Sequence, residues 1–575
     1  MANEQHTVRS ISWLEVFSCA HIFKSFKMAI HPTKIVLALA AILLTGLFGW
    51  VADRLWTGAS DSNWVQKDEP WDYWKQGRAG FMDSREQWLK GRLESLRPLP
   101  GGDAIAKEKN LDDAFEKLAE TYKESYDKSM AAAAEDYKKA VEAAGGLPKE
   151  QKEAALEAAG KAQIDAEHNA WYDLAKNRRT LASKRGQRIF STFVKWEMRC
   201  VTNAVRSVTR GNIVSGLSEL SDIRAGKSVY PVNVSPDTGL PKASNNDQAP
   251  YGLVAWVAMM VWGLWWLVTV YPWYSLVLGL SALAVWSVLG GAICRIAALH
   301  AAREEKIPLS SAVKFGLSKA MSFFSAPLLP IVLIVVVGLL IAAGGLIGAI
   351  PYVGEWFLAL LLPLALAMGA VIAFLAIGLG AGCPLMWPTI AVEGSDAFDA
   401  ISRSFSYVFA KPFRYGFYWL VAAVYGTICY LFVRLFAFVT LAATHGWARW
   451  WMGLADRPTY AEGAVKLDVM WAKPTFWDFH GPAQWEAMGG SEAAASAVLG
   501  IWVYLVAAIV LAFLVTFFFS AATTIYALLR QKVDATDLVD AYVVEAEEEF
   551  PEEAPAPPAE EAPGKEESPG EESSE

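Results

Sequence analysis

Residues Glu393 to Leu420 read EGSDAFDAISRSFSYVFAKPFRYGFYWL, and they follow thirty-seven residues, Trp356 to Val392, that carry no charge. A charged amphipathic helix that stops at a proline and runs into a further apolar span belongs where a chain leaves a membrane. Within it Ser395 can cap, Asp396 and Asp399 suit the positive N-terminus of a helix, and Asp399 stands four residues before Arg403, the spacing of a helical ion pair. Phe398, Ile401, Phe405 and Val408 form one apolar face, and Pro412 breaks the helix so that the next can turn inward.

Working outward, 54% of the 575 residues are apolar, 25 are Trp, and the apolar residues come in blocks. Crossing a bilayer takes about twenty such residues in a helix. Six blocks qualify: Ile35 to Ala52, Trp273 to Ala297, Leu328 to Ile350, Trp356 to Leu379, Tyr415 to Thr440 and Val498 to Leu529. The expected fold is all-α, a polytopic membrane helix bundle of six spans with an inserted extramembrane helical hairpin. Tyr251 to Tyr271 is also uncharged and is the alternative seventh span. With six, the basic groups around Lys24, Arg303, Arg403 and Arg530 all fall on one side, which the positive-inside rule makes cytoplasmic. Tyr251 to Tyr271 is then an interfacial or re-entrant helix, and both termini are cytoplasmic. The first block lacks a small-x-small cleavage pattern and reads as an uncleaved signal anchor of the cytoplasmic membrane.

The chain accordingly divides into a cytoplasmic segment with the first span (1–52), an extracytoplasmic insert (53–250), a membrane bundle (251–533) with a Trp-rich external loop (442–497), and an acidic tail (534–575). The insert carries an eleven-residue apolar beat over Phe115, Leu118, Tyr122, Tyr126, Met130, Ala133, Tyr137 and Val141. Gly145-Gly146-Leu147-Pro148 then stops one helix and starts another. This predicts a coiled-coil-like hairpin at about 104–185, its arms roughly 50 to 60 Å long. Beyond it Ile189 to Leu220 is basic and amphipathic. The tail holds sixteen acids against the single Lys565, leaving the rest of the chain at +6, and a composition of Glu, Pro, Ala and Ser reads as disordered.

The five cysteines form no C-x-x-C pair, and only Cys200 lies well outside the apolar segments. No nucleophile elbow, Walker loop, H-E-x-x-H or acidic metal cluster is present, so no catalytic residue, cofactor or metal is assigned. Gly344 with Gly348 and Gly378 with Gly382 are small-xxx-small pairs that let transmembrane helices approach. Arg434, set among Tyr430-Leu431-Phe432-Val433 and Leu435-Phe436, is an ionisable residue within a span; it is expected to snorkel at the outer interface, with the chain from Leu435 along the surface. Trp clusters after the first span and before the last are expected as interfacial belts, with Asp478, His480 and Glu486 as polar partners for a bound glycan in the alternative reading.

A short unit recurs: Ile22 to Pro32 (IFKSFKMAIHP), Leu317 to Pro327 (LSKAMSFFSAP) and Ser402 to Pro412 (SRSFSYVFAKP), with Trp262 to Pro272 (WGLWWLVTVYP) as an uncharged fourth. Each leads to an apolar span. Glu393, Gly394, Ala397, Ala400, Arg403 and Ser404 match an acid and a small residue followed by A-x-x-A-x-x-R-S. This resembles bacterial multi-pass proteins related to the membrane domain of glycerophosphodiester phosphodiesterases, over Trp273 to Ala443. The resemblance implies a membrane fold with interfacial helices and no enzyme activity, since the catalytic domain has no counterpart here.

Glu393, Asp399, Arg403, Pro412 and Arg434 are therefore the candidate structural or functional residues. The expected role is non-enzymatic: a scaffold, assembly or envelope-organising protein with membrane lipid around it, no nucleic acid, and protein partners through 104–185 and 541–575, self-association included. The alternative is a permease or channel for a neutral or lipidic solute.

Overall fold

The computed structural model describes residues 18–57, 64–66, 69–105, 108, 111–184, 186–214, 233–234, 241–242, 251–452, 465–481, 483–484, 488, 490–537 and 542. The acidic tail beyond Tyr542, Glu486 and Trp485 lie outside the described residues. The fold is an all-α polytopic bundle, and among the described residues seven helices are long and apolar enough to cross a membrane. The sole pairing of extended segments among the described residues, apart from a single bridge at Val65, joins 233–234 to 241–242.

A 3-10 turn at Ser18–Phe23 leads into α1 (Lys24–Ala29), and Pro32 opens the first long helix, α2 (Pro32–Thr57). The insert follows as α3 (Glu69–Leu96), α4 (Leu111–Ala144), α5 (Lys149–Lys184) and α6 (Ile189–Thr209). Next come α7 (Leu253–Val270) and α8 (Pro272–Arg303), then α9 (Leu309–Ser318), α10 (Ala320–Gly348), α11 (Val353–Glu393), α12 (Ala397–Ala410) and α13 (Pro412–Met452). The short α14 (Lys466–Met470) and the long α15 (Gly490–Val533) complete the bundle.

The hairpin is present with its turn where Gly145 to Pro148 place it. Its core is concentrated at the base, where Phe115, Leu118 and Tyr122 of α4 meet Leu174 and Leu181 of α5 and Trp64 before α3. Farther out the stripe becomes sparse: Ala133 is buried, but Tyr137, Val141 and Ile164 are exposed. The insert closes on itself, because Val65 and Gln187 exchange backbone hydrogen bonds of 2.9 and 2.8 Å. The amphipathic helix expected to reach Leu220 ends at Thr209, and Gly211 takes the left-handed conformation (φ 70) just past it.

The helix α6 starts at the far end of α2, where the Phe190 N–H donates to Asp53 Oδ1 (2.9 Å). Its last turn carries Arg206, whose guanidinium lies over the Trp477 ring. Packed against it, α7 runs in the opposite sense: Ser207 Oγ donates to the Tyr251 carbonyl at one end, Trp196 Nε1 to that of Met259 midway, and Tyr274, just past its far end, to Asp53.

The opposite pole is more densely packed. Gly290 and Gly291 of α8 face Trp387 and Phe323, whose rings occupy the space a Cβ would take at 2.6 Å. Three of the four proline units behave as the repeat predicts, with Pro32, Pro272 and Pro412 each opening a helix. The fourth does not: the break falls at Lys319, and Pro327 lies inside α10. The Phe323 carbonyl, which Pro327 cannot bond, instead accepts from the Trp387 indole.

Candidate functional site

Polar side chains gather at both poles. At the first, α11 ends on Glu393 with Gly394 in the left-handed conformation (φ 67), the usual way to terminate a helix. The exposed carbonyls of that terminus attract cations: Arg295 Nη1 donates to the Ala391 carbonyl (2.9 Å) and Lys319 Nζ to that of Gly394 (2.6 Å). The Glu393 carboxylate receives Arg403 (Nε 2.9 Å, Nη1 3.1 Å), Arg530 (3.2 Å) and the Tyr526 hydroxyl. Arg403 also approaches Asp534 at 3.9 Å, and Tyr407 donates to that carboxylate. Burial and the Asp534 charge push the Tyr407 phenol up to about 12. Tyr542 closes the cluster, its N–H on the Val392 carbonyl (2.8 Å) and its ring against Gly394.

Four of the five sequence-selected residues lie on this segment, in different parts. Glu393 is the hub and Arg403 its partner. Asp399 is exposed and does not pair with Arg403, which turns back across the helix start instead; this corrects the expected four-residue pair. The cap is Asp396, whose Oδ1 accepts from the Asp399 N–H (3.0 Å), and not Ser395. Pro412 is the first residue of α13. Phe405 and Val408 are buried as expected, whereas Phe398 points outward. Gly378 and Gly382 receive the Phe405 ring of α12 rather than another span, and Gly344 faces open space.

Lys34 sits deeper in the bundle. It reads in sequence as a flanking cation, yet it is fully buried between α2, α8 and α15 and donates to Ser520 Oγ (3.2 Å). The sequence signal for this is on α15: Thr516, Ser520, Thr523 and Thr524 share one face, and all are buried.

Arg434 belongs to the other pole, and there the expectation fails. The helix α13 continues unbroken past Leu435 to Met452, so Arg434 does not snorkel: it is 9% exposed. Its Nε donates to the Phe476 carbonyl (2.8 Å), Nη2 to that of Trp477 (2.8 Å) and Nη1 to the Tyr430 hydroxyl (2.7 Å). The rings of Phe476, Trp477, Phe479 and Tyr430 surround the guanidinium at 5.0 to 5.9 Å. Beside it lies a cavity of about 180 Å³ between α6, α13, α15 and the 477–480 loop. Of the three residues named as polar partners for a glycan, Asp478 and His480 are described, and both are engaged locally: Asp478 Oδ1 accepts from the His480 and Gly481 N–H groups, and His480 stacks on Tyr504. Trp64, Trp71 and Trp471 are core residues, while Trp447, Trp450 and Trp451 remain exposed.

A third cluster joins the insert to α7. Glu69 is fully buried; it accepts from the Gln66 N–H (2.8 Å) and the Tyr271 hydroxyl (3.0 Å) and lies 3.4 Å from Arg85. Burial outweighs these partners and pushes its carboxyl up to about 7. Glu197 on α6, half-buried with Oε1 against Gly263, is pushed up to about 8 by burial. Cys200, also buried, has its thiol raised, so it offers no labelling handle.

Among the described residues no three His, Cys, Asp or Glu side chains are grouped to hold a metal. Comparison with protein-family models, curated proteins and solved structures gives no match.

Proposed function

We propose that the chain is a non-enzymatic scaffold or assembly protein of the cytoplasmic membrane, which engages protein partners through its helical arm. The observation that carries this is the contrast within the hairpin. Its base is fastened by the Val65–Gln187 pairing and the Glu69, Arg85 and Tyr271 contacts, while its outer half leaves Tyr137, Val141 and Ile164 exposed. A two-helix arm of 34 and 36 residues extends about 50 Å, long enough to hold a partner well clear of the bilayer.

The topology that fits is six crossings, with α7 lying along the pole between the ends of α2 and α13. Its contacts with α6, α3 and the start of α8 support this placement. Lys24, Lys27, Lys319, Arg403, Arg530 and Lys532 then share one end of the bundle with both termini, and their charge favours the cytoplasm. The likeness of Glu393 to Ser404 to the phosphodiesterase-type membrane domain agrees with an interfacial α12. The acidic tail that follows in the sequence is proposed as a second partner segment on that side.

Excising residues 130–167 and rejoining the arm above Tyr126 and Trp171 preserves the packed base. Affinity capture in mild detergent should then lose partners that the intact chain retains. An identical partner set from both forms would sink the proposal.

A further inference from the structure

Two arginines at the α6–α13 pole have more positive charge than the surroundings answer. Arg434 is buried, and its three hydrogen bonds go to neutral oxygens. A guanidinium has five N–H groups, so one on each Nη remains. Arg206 approaches the same Trp477 ring, 4.7 Å from its centroid, and its buried Nε has no hydrogen-bond partner among the described residues. The acid in the cavity wall, Asp478, is engaged by the backbone of its own loop. Desolvated cations are ordinarily paired, and a rigid planar donor fork suits a phosphate.

Beside Thr202, Asp478 and His480, the cavity has an aliphatic wall. Val201 of α6 faces Val503, Ala507, Val510 and Leu514 of α15, and the mouth leads past Met198 and Tyr504, both exposed. At about 30 Å³ for each water, a volume near 180 Å³ equals about six waters, enough for a phosphate group and the first part of a chain. A site with a buried guanidinium at one end and an aliphatic wall at the other is complementary to an amphiphile.

We propose that this cavity binds a membrane phospholipid with an anionic head group, its phosphate on Arg434, with Arg206 on the Trp477 ring adding positive charge nearby, and the start of its acyl chain along Val503, Ala507 and Val510. A lipid, rather than free phosphate, is favoured because the α15 wall is aliphatic and the mouth borders exposed apolar surface.

The full-length protein in mild detergent, titrated with a phosphoglycerol lipid and separately with a phosphocholine lipid, tests this by native mass spectrometry. The anionic lipid should bind with one equivalent at least about tenfold more tightly, a preference worth about 1.4 kcal/mol. R434Q should abolish the preference. Because that change lies in the core, two milder ones accompany it: R206Q should weaken the anionic lipid alone, and A507W should exclude both lipids while both arginines remain. Equal binding of the two lipids, or binding unmoved by R206Q and A507W, would overturn the proposal. So would inorganic phosphate that displaces the lipid at equal concentration, since the acyl wall would then contribute nothing.

Discussion

Trp387 donates its indole N–H to the carbonyl of Phe323 at 2.9 Å, four residues before Pro327 on the neighbouring helix. A proline leaves that carbonyl without its helical donor, and in a bilayer no water replaces it. The Trp387 ring also stacks on Phe519 (5.6 Å) and fills the space left by Gly290, so one side chain ties α8, α10, α11 and α15 together.

W387F keeps much of the ring and loses the donor. It should lower stability by about 1 kcal/mol, measured as a shift in thermal midpoint in detergent. In a P327A background the restored backbone N–H takes the carbonyl, and the same W387F change should lose most of its effect. Equal costs in both backgrounds would remove the compensating role assigned to the indole.

The Glu393 hub predicts an order of losses. E393A strands Arg530 and Arg403 beside a helix terminus, and a broken buried pair costs about 3 to 5 kcal/mol. R530A, on the less exposed partner, should cost less than that. R403A should cost least, about 1 kcal/mol or below, because Arg403 is 42% exposed and solvent screens it. Thermal midpoints in the reverse order would show that Glu393 is not the centre of the cluster.

Attachment of the insert should weaken as pH rises. The Glu69 carboxyl is raised from 4.5 to about 7 in the folded chain, so between those values the folded state binds the extra proton. Its contribution is fully present below 4.5 and is lost as pH climbs through 7. Hydrogen exchange in the first turn of α3 should therefore be faster at about pH 8 than at about pH 5 after correction for intrinsic rates. E69Q, neutral throughout, should flatten the difference.

Two glycines of equal appearance should differ in tolerance. A Cβ at Gly378 would lie 2.4 Å from the Phe405 ring, whereas at Gly344 it meets nothing within 4 Å. G378V should dislodge α12 and expose it to limited proteolysis, at a cost of roughly 1 to 3 kcal/mol. G344V should be close to neutral; equal sensitivity at both sites would contradict the packing of α12 on α11.

The long elements were legible because their causes are local. An uncharged run of thirty-seven residues, a Gly-Gly-Leu-Pro turn and prolines at the start of apolar spans declare helices and their ends without reference to distant parts of the chain. The segment Ala397–Ala410 was legible as a helix for the same reason, and so was its break at Pro412. What failed were pairings. Asp399 and Arg403 are neighbours by helical arithmetic, yet the guanidinium follows the stronger, less solvated carboxylate of Glu393.

By itself, then, the sequence determined an all-α membrane bundle, its hairpin insert and the helix boundaries at Gly145 to Pro148, Pro32, Pro272 and Pro412, but not those at Pro327, Thr209 and Met452. Only the tertiary structure decided that Lys34 is a core residue, that Arg434 is enclosed beside a cavity and that Arg206 lies against the same Trp477 ring. The physical reason is that hydrophobic periodicity is written into a few consecutive residues, whereas the burial of a charge depends on which distant helices close over it. Arg206, Arg434 and Trp477 are far apart in the chain, and no spacing rule links them before α6 lies across the pole.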